Sequence, residues 1–242
     1  MLKLILIPFF FIIASFSQAK EYEYQNFLSD NKIAPLVKSD ADKTVDIIEF
    51  SSFSCSYCAA FHNETLKEIK ESDVYKNINY YIVDYPLNQA AFYASIIANC
   101  NSEIRSSYTN SVYENYDIWT KSETGEEIIE LLNNYGLQLG LEDEQLQSCL
   151  KDENLQNNLL SLQVAAQSNF GVESTPTFLI DGEKFQGNRP ACTKLCVQSS
   201  QKLKPMSRGP PQDIQRPVSL RSRSESARCG RTASLFMCTA RQ

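Results

Sequence analysis

Basic side chains are scarce through most of this 242-residue chain: residues 20–187 hold 11 Lys and Arg, with Arg105 the one arginine, against 27 Asp and Glu. That is a net charge of −16, and the acidic total of −6 over the whole chain argues against nucleic acid as the main partner, because phosphate-dominated binding needs a concentrated excess of Lys and Arg. Histidine is almost missing, with His62 alone, and there are three methionines. No His-rich or Met-rich tract is present to supply the ligands that copper handling needs. After the N-terminus no apolar run approaches the roughly 20 residues that a membrane core demands. What remains is 43% hydrophobic and 21% charged, with a formal charge of −6, which describes a globular protein of one or two domains.

Cysteine, in contrast, occurs eight times, and the N-terminus supplies a setting for it. Residues 1–19 begin with Lys3, continue as an apolar run from Leu4 to Ala14 and reach small residues up to Ala19. This reads as a secretory signal cut after Ala19, with an uncleaved anchor as the alternative. Export places the mature chain in an oxidising space, where paired cysteines persist.

The composition changes abruptly near residue 188. Residues 188–242 carry 11 basic and two acidic residues, net +9, with eight arginines and no tyrosine. Stretches such as Arg221-Ser222-Arg223-Ser224-Glu225-Ser226 have neither helical nor strand periodicity. This atypical basic tail is expected to be disordered from about Lys204, apart from one short amphipathic helix that Ala191, Cys192, Leu195, Cys196 and Leu203 would allow. It reads either as an out-of-frame or joined segment that displaces the natural C-terminus, or as a basic arm for anionic lipid or nucleic acid. An export signal conflicts with the second reading.

Within residues 44–187, Thr44-Val45-Asp46-Ile47-Ile48-Glu49-Phe50 is apolar and β-branched, as a buried strand should be. It leads into Cys55-Ser56-Tyr57-Cys58, after which Phe61, Leu66 and Ile69 recur at helical spacing to about Ser72. A second strand over 78–84 stops at Tyr85-Pro86, where proline blocks ladder pairing. Residues 87–170 then read as helices over about 89–101, 106–119, 125–134 with Gly136 as cap, 142–150 and 154–168. Strands over 177–180 and 183–186 flank Asp181-Gly182, a strong hairpin signal. The fold class expected is α/β: a small sheet with a helical block inserted before its last hairpin.

Two cysteines at i and i+3 opening a helix can close a small disulfide ring. The first lies where unpaired N–H groups and the helix dipole favour the thiolate, which is the nucleophile in exchange. A stabilised thiolate in the reduced state makes the disulfide a strong oxidant. The same spacing also serves zinc or an inert structural disulfide. Position, and the later Ser174-Thr175-Pro176-Thr177, favour redox chemistry. A proline just before a strand suits a cis-Pro loop that offers backbone groups to an extended peptide.

Here the sequence resembles the DsbA-like thiol-disulfide oxidoreductases of the thioredoxin superfamily. The likeness rests on Ile48 to Cys58, on the helical insertion and on Gly171-Val172-Glu173-Ser174-Thr175-Pro176-Thr177-Phe178, and covers about residues 40–187. It implies a thioredoxin-like fold with an inserted helical domain, Cys55 as the exposed nucleophile, Cys58 as the buried resolving thiol and Thr175-Pro176 as the cis-Pro loop. Glu49 matches the buried acid that assists proton transfer at Cys58; an ordinary strand-edge position is the alternative. The dipeptide Ser56-Tyr57 departs from the Pro-His of the most oxidising members. The family's final helix would fall in the tail, and without it one sheet face would lie open.

Cys100 and Cys149 are expected to pair structurally in an oxidising compartment, as some relatives' second disulfide suggests; two buried free thiols are the alternative. His62 reads either as a solvated helix residue or as a metal ligand after Cys58, and Asn63-Glu64-Thr65 fits a glycosylation sequon. No metal or cofactor is expected. The expected activity is donation of the Cys55–Cys58 disulfide to unfolded or reduced exported proteins, bound at Thr175-Pro176 and near Phe53 and Tyr57. A membrane redox partner would reoxidise the pair, and the protein would act as a periplasmic monomer. An isomerase or reductase with the same site is the runner-up, and a metal-binding thioredoxin-like protein is a more distant one.

Overall fold

A computed structural model describes residues 23–42 and 44–187. The signal segment 1–19 and the tail 188–242, with its short amphipathic helix, lie outside the described residues.

A helix over 23–30 (α1) precedes β1 (Val45–Ser51). After β1 come α2 (Ser56–Ala60), a π-helical stretch (Phe61–Thr65), α3 (Leu66–Glu71), a 3₁₀ turn (Tyr75–Asn77) and β2 (Ile78–Asp84). Six helices follow: α4 (Gln89–Ala98), α5 (Arg105–Glu114), α6 (Tyr116–Thr120), α7 (Gly125–Gln138), α8 (Asp143–Leu150) and α9 (Glu153–Phe170). The chain then returns to the sheet as β3 (Thr177–Ile180) and β4 (Glu183–Gln186). Sheet order is β2-β1-β3-β4, with β1 and β2 parallel and the other pairs antiparallel.

The apolar run of β1 is buried on both faces, because successive side chains point to opposite sides. Val45 and Ile47 pack with Phe61, Leu66 and Ile69, while Ile48 and Phe50 pack with Tyr24, Phe27, Leu162 and Ala166. So the π-helical stretch and α3 cover one face, and α1 with α9 cover the other. Every residue of β3 is buried, whereas β4 is largely exposed. Asp181 and Gly182 form the β3–β4 turn with φ of 47° and 80°, the double positive φ of a type I′ hairpin.

The helical block has its own core, built on Tyr108, Val112, Trp119, Leu132 and Leu146. Two sequence expectations change here. The helix expected over 106–119 breaks at Asn115, whose backbone (φ −100°, ψ 21°) leaves the helical range and whose side chain donates to Ser111 O at 2.8 Å. The break turns Trp119 inward, with Nε1 donating to Val112 O at 3.0 Å. Gly136 is not a cap: α7 continues to Gln138, and Gly136 is buried where Ile97 of α4 and Leu141 close in, within 3.0–3.1 Å of where a Cβ would stand. The chain instead leaves α7 through Gly140, at φ 100°.

Candidate active site: a dithiol over a buried carboxylate

Cys55 is the N-cap of α2. An N-cap accepts from helix N–H groups that have no partner in the helix, and here the acceptor is sulfur: Cys58 N donates to Cys55 Sγ at 3.4 Å. The chain is fixed on both sides of the motif. Cys55 N donates to Ser52 O at 3.0 Å, and Tyr116 of α6 donates from its hydroxyl to Ser54 O at 3.1 Å.

The Thr175–Pro176 peptide bond is cis and brings the loop before β3 against the pair, so that the Cys55 thiol donates to Thr175 O at 3.3 Å. The Thr175 hydroxyl is buried, with no partner beyond the Cys55 sulfur that it helps to hold as thiolate. Both thiols are free in this structure. Cys55 is only 7% exposed, less than the open position expected of it, because the cis-Pro loop lies over it. Cys58 is fully buried.

Environment separates the two sulfurs. A hydrogen bond from Cys58 holds the Cys55 thiol down to about 6, helped by Thr175 and the N–H groups of Cys58 and Tyr57, with burial opposing. Burial pushes the Cys58 thiol well up, and the hydrogen bond with Cys55 and the charge of Glu49 add to it. At neutral pH one thiolate is present, and it is on Cys55.

Beneath Cys58 lies a polar cluster in an otherwise apolar core. Glu49 is 0% exposed. Ser51 Oγ donates to Glu49 Oε1 at 2.7 Å, His62 Nε2 lies 3.0 Å from Glu49 Oε2, and the Tyr80 hydroxyl donates to Oε2 as well. Ser51 Oγ also meets Tyr113 OH at 2.7 Å and is a hydrogen-bond partner of the Cys58 sulfur. Burial drives the Tyr80 and Tyr113 hydroxyls well above their ordinary range, so both serve as neutral groups.

His62 is buried against Tyr113, with ring centroids 4.2 Å apart, and is not the solvated helix residue one reading expected. No cluster of three or more metal-ligating side chains occurs among the described residues. The Asn63 amide, in the sequon, donates to Tyr113 O at 2.7 Å and is engaged inside the fold. Phe53, expected at the substrate surface, is buried against Tyr108 and Tyr113, with ring centroids 6.2 and 5.2 Å away. Tyr57 is 70% exposed beside the motif, as expected.

Cys100 and Cys149 form a disulfide in the structure, with Cα atoms 5.6 Å apart, between the end of α4 and α8. Sequence reasoning did not single out Ser51, Tyr80 or Tyr113. For Ser51 a signal existed, since it follows Glu49 by two on one strand and so faces the same side.

Comparison with known proteins agrees with this geometry. A family model described as thioredoxin matches residues 35–194. The chain belongs to the thioredoxin family. Two proteins provisionally named protein-disulfide oxidoreductases, from Rickettsia bellii and Rickettsia felis, are 26% and 25% identical over 155 residues. Each alignment covers 61% of this chain and 57% or 53% of the relative, so the chain spans about half the length of the curated relatives it matches.

Among solved structures, α-DsbA1 of Wolbachia pipientis aligns with a TM-score of 0.60 at 18% identity, over 72% of this chain and 97% of that one. α-DsbA2 of the same organism aligns at 0.56 and 18%, over 78% and 95%. Oxidised BdbD of Bacillus subtilis aligns at 0.55 and 16%, over 71% and 94%. The fold is DsbA-like. No helix among the described residues is long and apolar enough to cross a membrane.

Proposed function

We propose that this protein is an exported dithiol oxidase that gives the Cys55–Cys58 disulfide to reduced substrate proteins. The observation that carries this reading is the unequal pair: Cys55 caps α2 beneath the cis-Pro loop with its thiol lowered to about 6, and Cys58 is buried with its thiol raised. A substrate thiolate attacks Cys55 Sγ, the Cys55–Cys58 bond breaks, and the electron pair goes to Cys58, which takes a proton. A second substrate thiolate then attacks the substrate sulfur of the mixed disulfide, and Cys55 leaves as its stabilised thiolate. That leaving-group stability favours disulfide donation.

Glu49, below Cys58, exchanges the proton through Ser51. The substrate chain lies along the Thr175–Pro176 backbone and over Tyr57. Residues 44–187 act as the catalytic domain with the helical insertion over about 87–170, Cys100–Cys149 braces that insertion, and residues 1–19 direct export to the periplasm and are removed. A membrane protein reoxidises the monomer.

Single cysteine variants test the order of events. With oxidised glutathione to load Cys55 as a mixed disulfide and reduced, unfolded exported proteins to displace the glutathione, Cys58→Ser accumulates mixed disulfides between Cys55 and substrate, visible on non-reducing gels, and Cys55→Ser accumulates none. Equal behaviour of the two would overturn the assignment of the nucleophile.

A further inference from the structure

The one histidine of the chain takes no part in the exchange steps, and among the described residues it belongs to no cluster of metal-ligating side chains. A 3.6-residue helix continued past α2 would carry this part of the chain in a regular spiral. Instead Phe61–Thr65 is π-helical, a local widening that recurs at functional sites. Within it His62 turns into the core, stacks on Tyr113 and sets Nε2 3.0 Å from Glu49 Oε2. Its other ring nitrogen, Nδ1, is buried with no hydrogen-bond partner.

That asymmetry assigns the tautomer. An imidazolium would bury an unpartnered Nδ1–H and its charge, at a cost well above that of a bare acceptor lone pair. The neutral ring with its proton on Nε2 gives Glu49 a donor and leaves Nδ1 unprotonated. Three donors then converge on one buried carboxylate: Ser51 on Oε1, and Tyr80 and His62 on Oε2. Donors to the charged form stabilise it against burial.

The titratable groups facing Glu49 and His62 are Cys58 from α2, Tyr80 from β2 and Tyr113 from α5, with Asp84 acting on Tyr113 from the end of β2. Among the described residues His62 is the only basic side chain paired with Glu49.

We propose that His62 is a positioning residue, a neutral Nε2–H donor that keeps Glu49 a carboxylate aimed at Ser51 so that it can take the Cys58 proton. This rests on the reading of Cys55 and Cys58 as an exchange pair. When Cys58 attacks Cys55 in a mixed disulfide, the Cys55–Cys58 bond forms and the bond to the substrate sulfur breaks. The substrate leaves with the electron pair as a thiolate. The Cys58 proton passes to Ser51 Oγ while the Ser51 proton passes to Glu49 Oε1. Disulfide donation runs the same steps backwards.

Two measurements on the full chain, without a histidine tag, test this. In the first, a glutathione adduct on Cys55 is formed in acid and resolved by a pH jump in wild type, His62→Phe, His62→Gln, Glu49→Gln and the Glu49→Gln/His62→Phe double variant. The rate for His62→Phe falls about tenfold near neutrality, the effect of losing one hydrogen bond to a charged group, and its rise with pH moves to higher pH. His62→Gln, which carries an N–H to the same place, recovers most of the rate. The double variant matches Glu49→Gln, because His62 acts only through Glu49. An unshifted pH profile in His62→Phe, or additive losses in the double variant, overturns the proposal and leaves exchange at Cys55 standing. Absence of any resolution in wild type overturns the exchange reading itself.

The second measurement needs no variant to fold. The ring nitrogens of a chain with one histidine give unique ¹⁵N signals, and these should show the neutral Nε2–H tautomer throughout the pH range in which the rate rises. An imidazolium or an Nδ1–H tautomer there overturns the proposal.

Discussion

Cys55 sits in a site that treats thiol and thiolate differently. Its sulfur accepts from Cys58, and its thiol is lowered to about 6 while burial raises that of Cys58. Alkylation of Cys55 in reduced protein, followed by peptide mapping, should therefore titrate with a midpoint near 6, while Cys58 stays unreactive in that range. The Thr175 hydroxyl, buried without another partner, adds to this lowering. Thr175→Val should raise the midpoint measurably, and an unchanged titration would remove Thr175 from the set. Because the folded value lies below the ordinary 9.0, the thiolate stabilises the reduced fold most fully near pH 9, and that stability is lost as pH falls through 6. Above pH 9 the raised Cys58 works the other way, since only the unfolded chain releases that proton. Reduced protein should thus be most stable to urea near pH 9, and a stability independent of pH between 6 and 9 would contradict the unequal pair.

At the scale of elements, the helical block is tied to the sheet by one partly buried ion pair and braced within itself by one disulfide. Arg105, opening α5, donates to Asp84 Oδ2 at 2.9 Å and to Ile82 O at 3.1 Å, at the end of β2. Asp84 is nearly buried and keeps only the Asn99 amide if the arginine is lost. Arg105→Met should lower the unfolding free energy by about 3 kcal/mol, the cost of leaving a buried charge unpaired; a change within about 0.5 kcal/mol, the range of ordinary surface substitutions, would show that solvent reaches Asp84.

Cys100 and Cys149 close a loop of 49 residues. Cys100→Ser/Cys149→Ser should destabilise the fold by about 4 kcal/mol on loop-entropy grounds while Cys55 still exchanges. Undiminished stability would return the pair to two free thiols.

These elements also show what the sequence could and could not disclose. The strand, Cys-x-x-Cys, helix order and the Asp181-Gly182 hairpin follow from local chemistry: β-branched runs, an N-capping sulfur, and two residues that tolerate positive φ. The π-helical widening at Phe61–Thr65 leaves no mark in composition or period. For that reason His62 read as a solvated or metal-binding residue. Phe53 read as surface because its burial depends on tyrosines about 60 positions away in α5, a tertiary fact no local pattern carries. Gly136 was expected to cap because glycine commonly ends helices; the close approach of α4 that it permits is non-local too.

For the molecule as a whole, fold and chemistry meet at one end of the sheet. β1 delivers Glu49 and Ser51 from below, α2 presents Cys55 at its N-terminus, and the turn into β3 lays the cis-Pro loop across the sulfur. The proposed direction of electron flow rests on how much more stable the reduced pair is than the disulfide. Equilibration with glutathione measures this directly, as the reduction potential of Cys55–Cys58. A value near that of strong oxidants, about −120 mV, is the expected result. A value near that of thioredoxin-type reductants, about −270 mV, would contradict disulfide donation and move the protein to reductive or isomerase work.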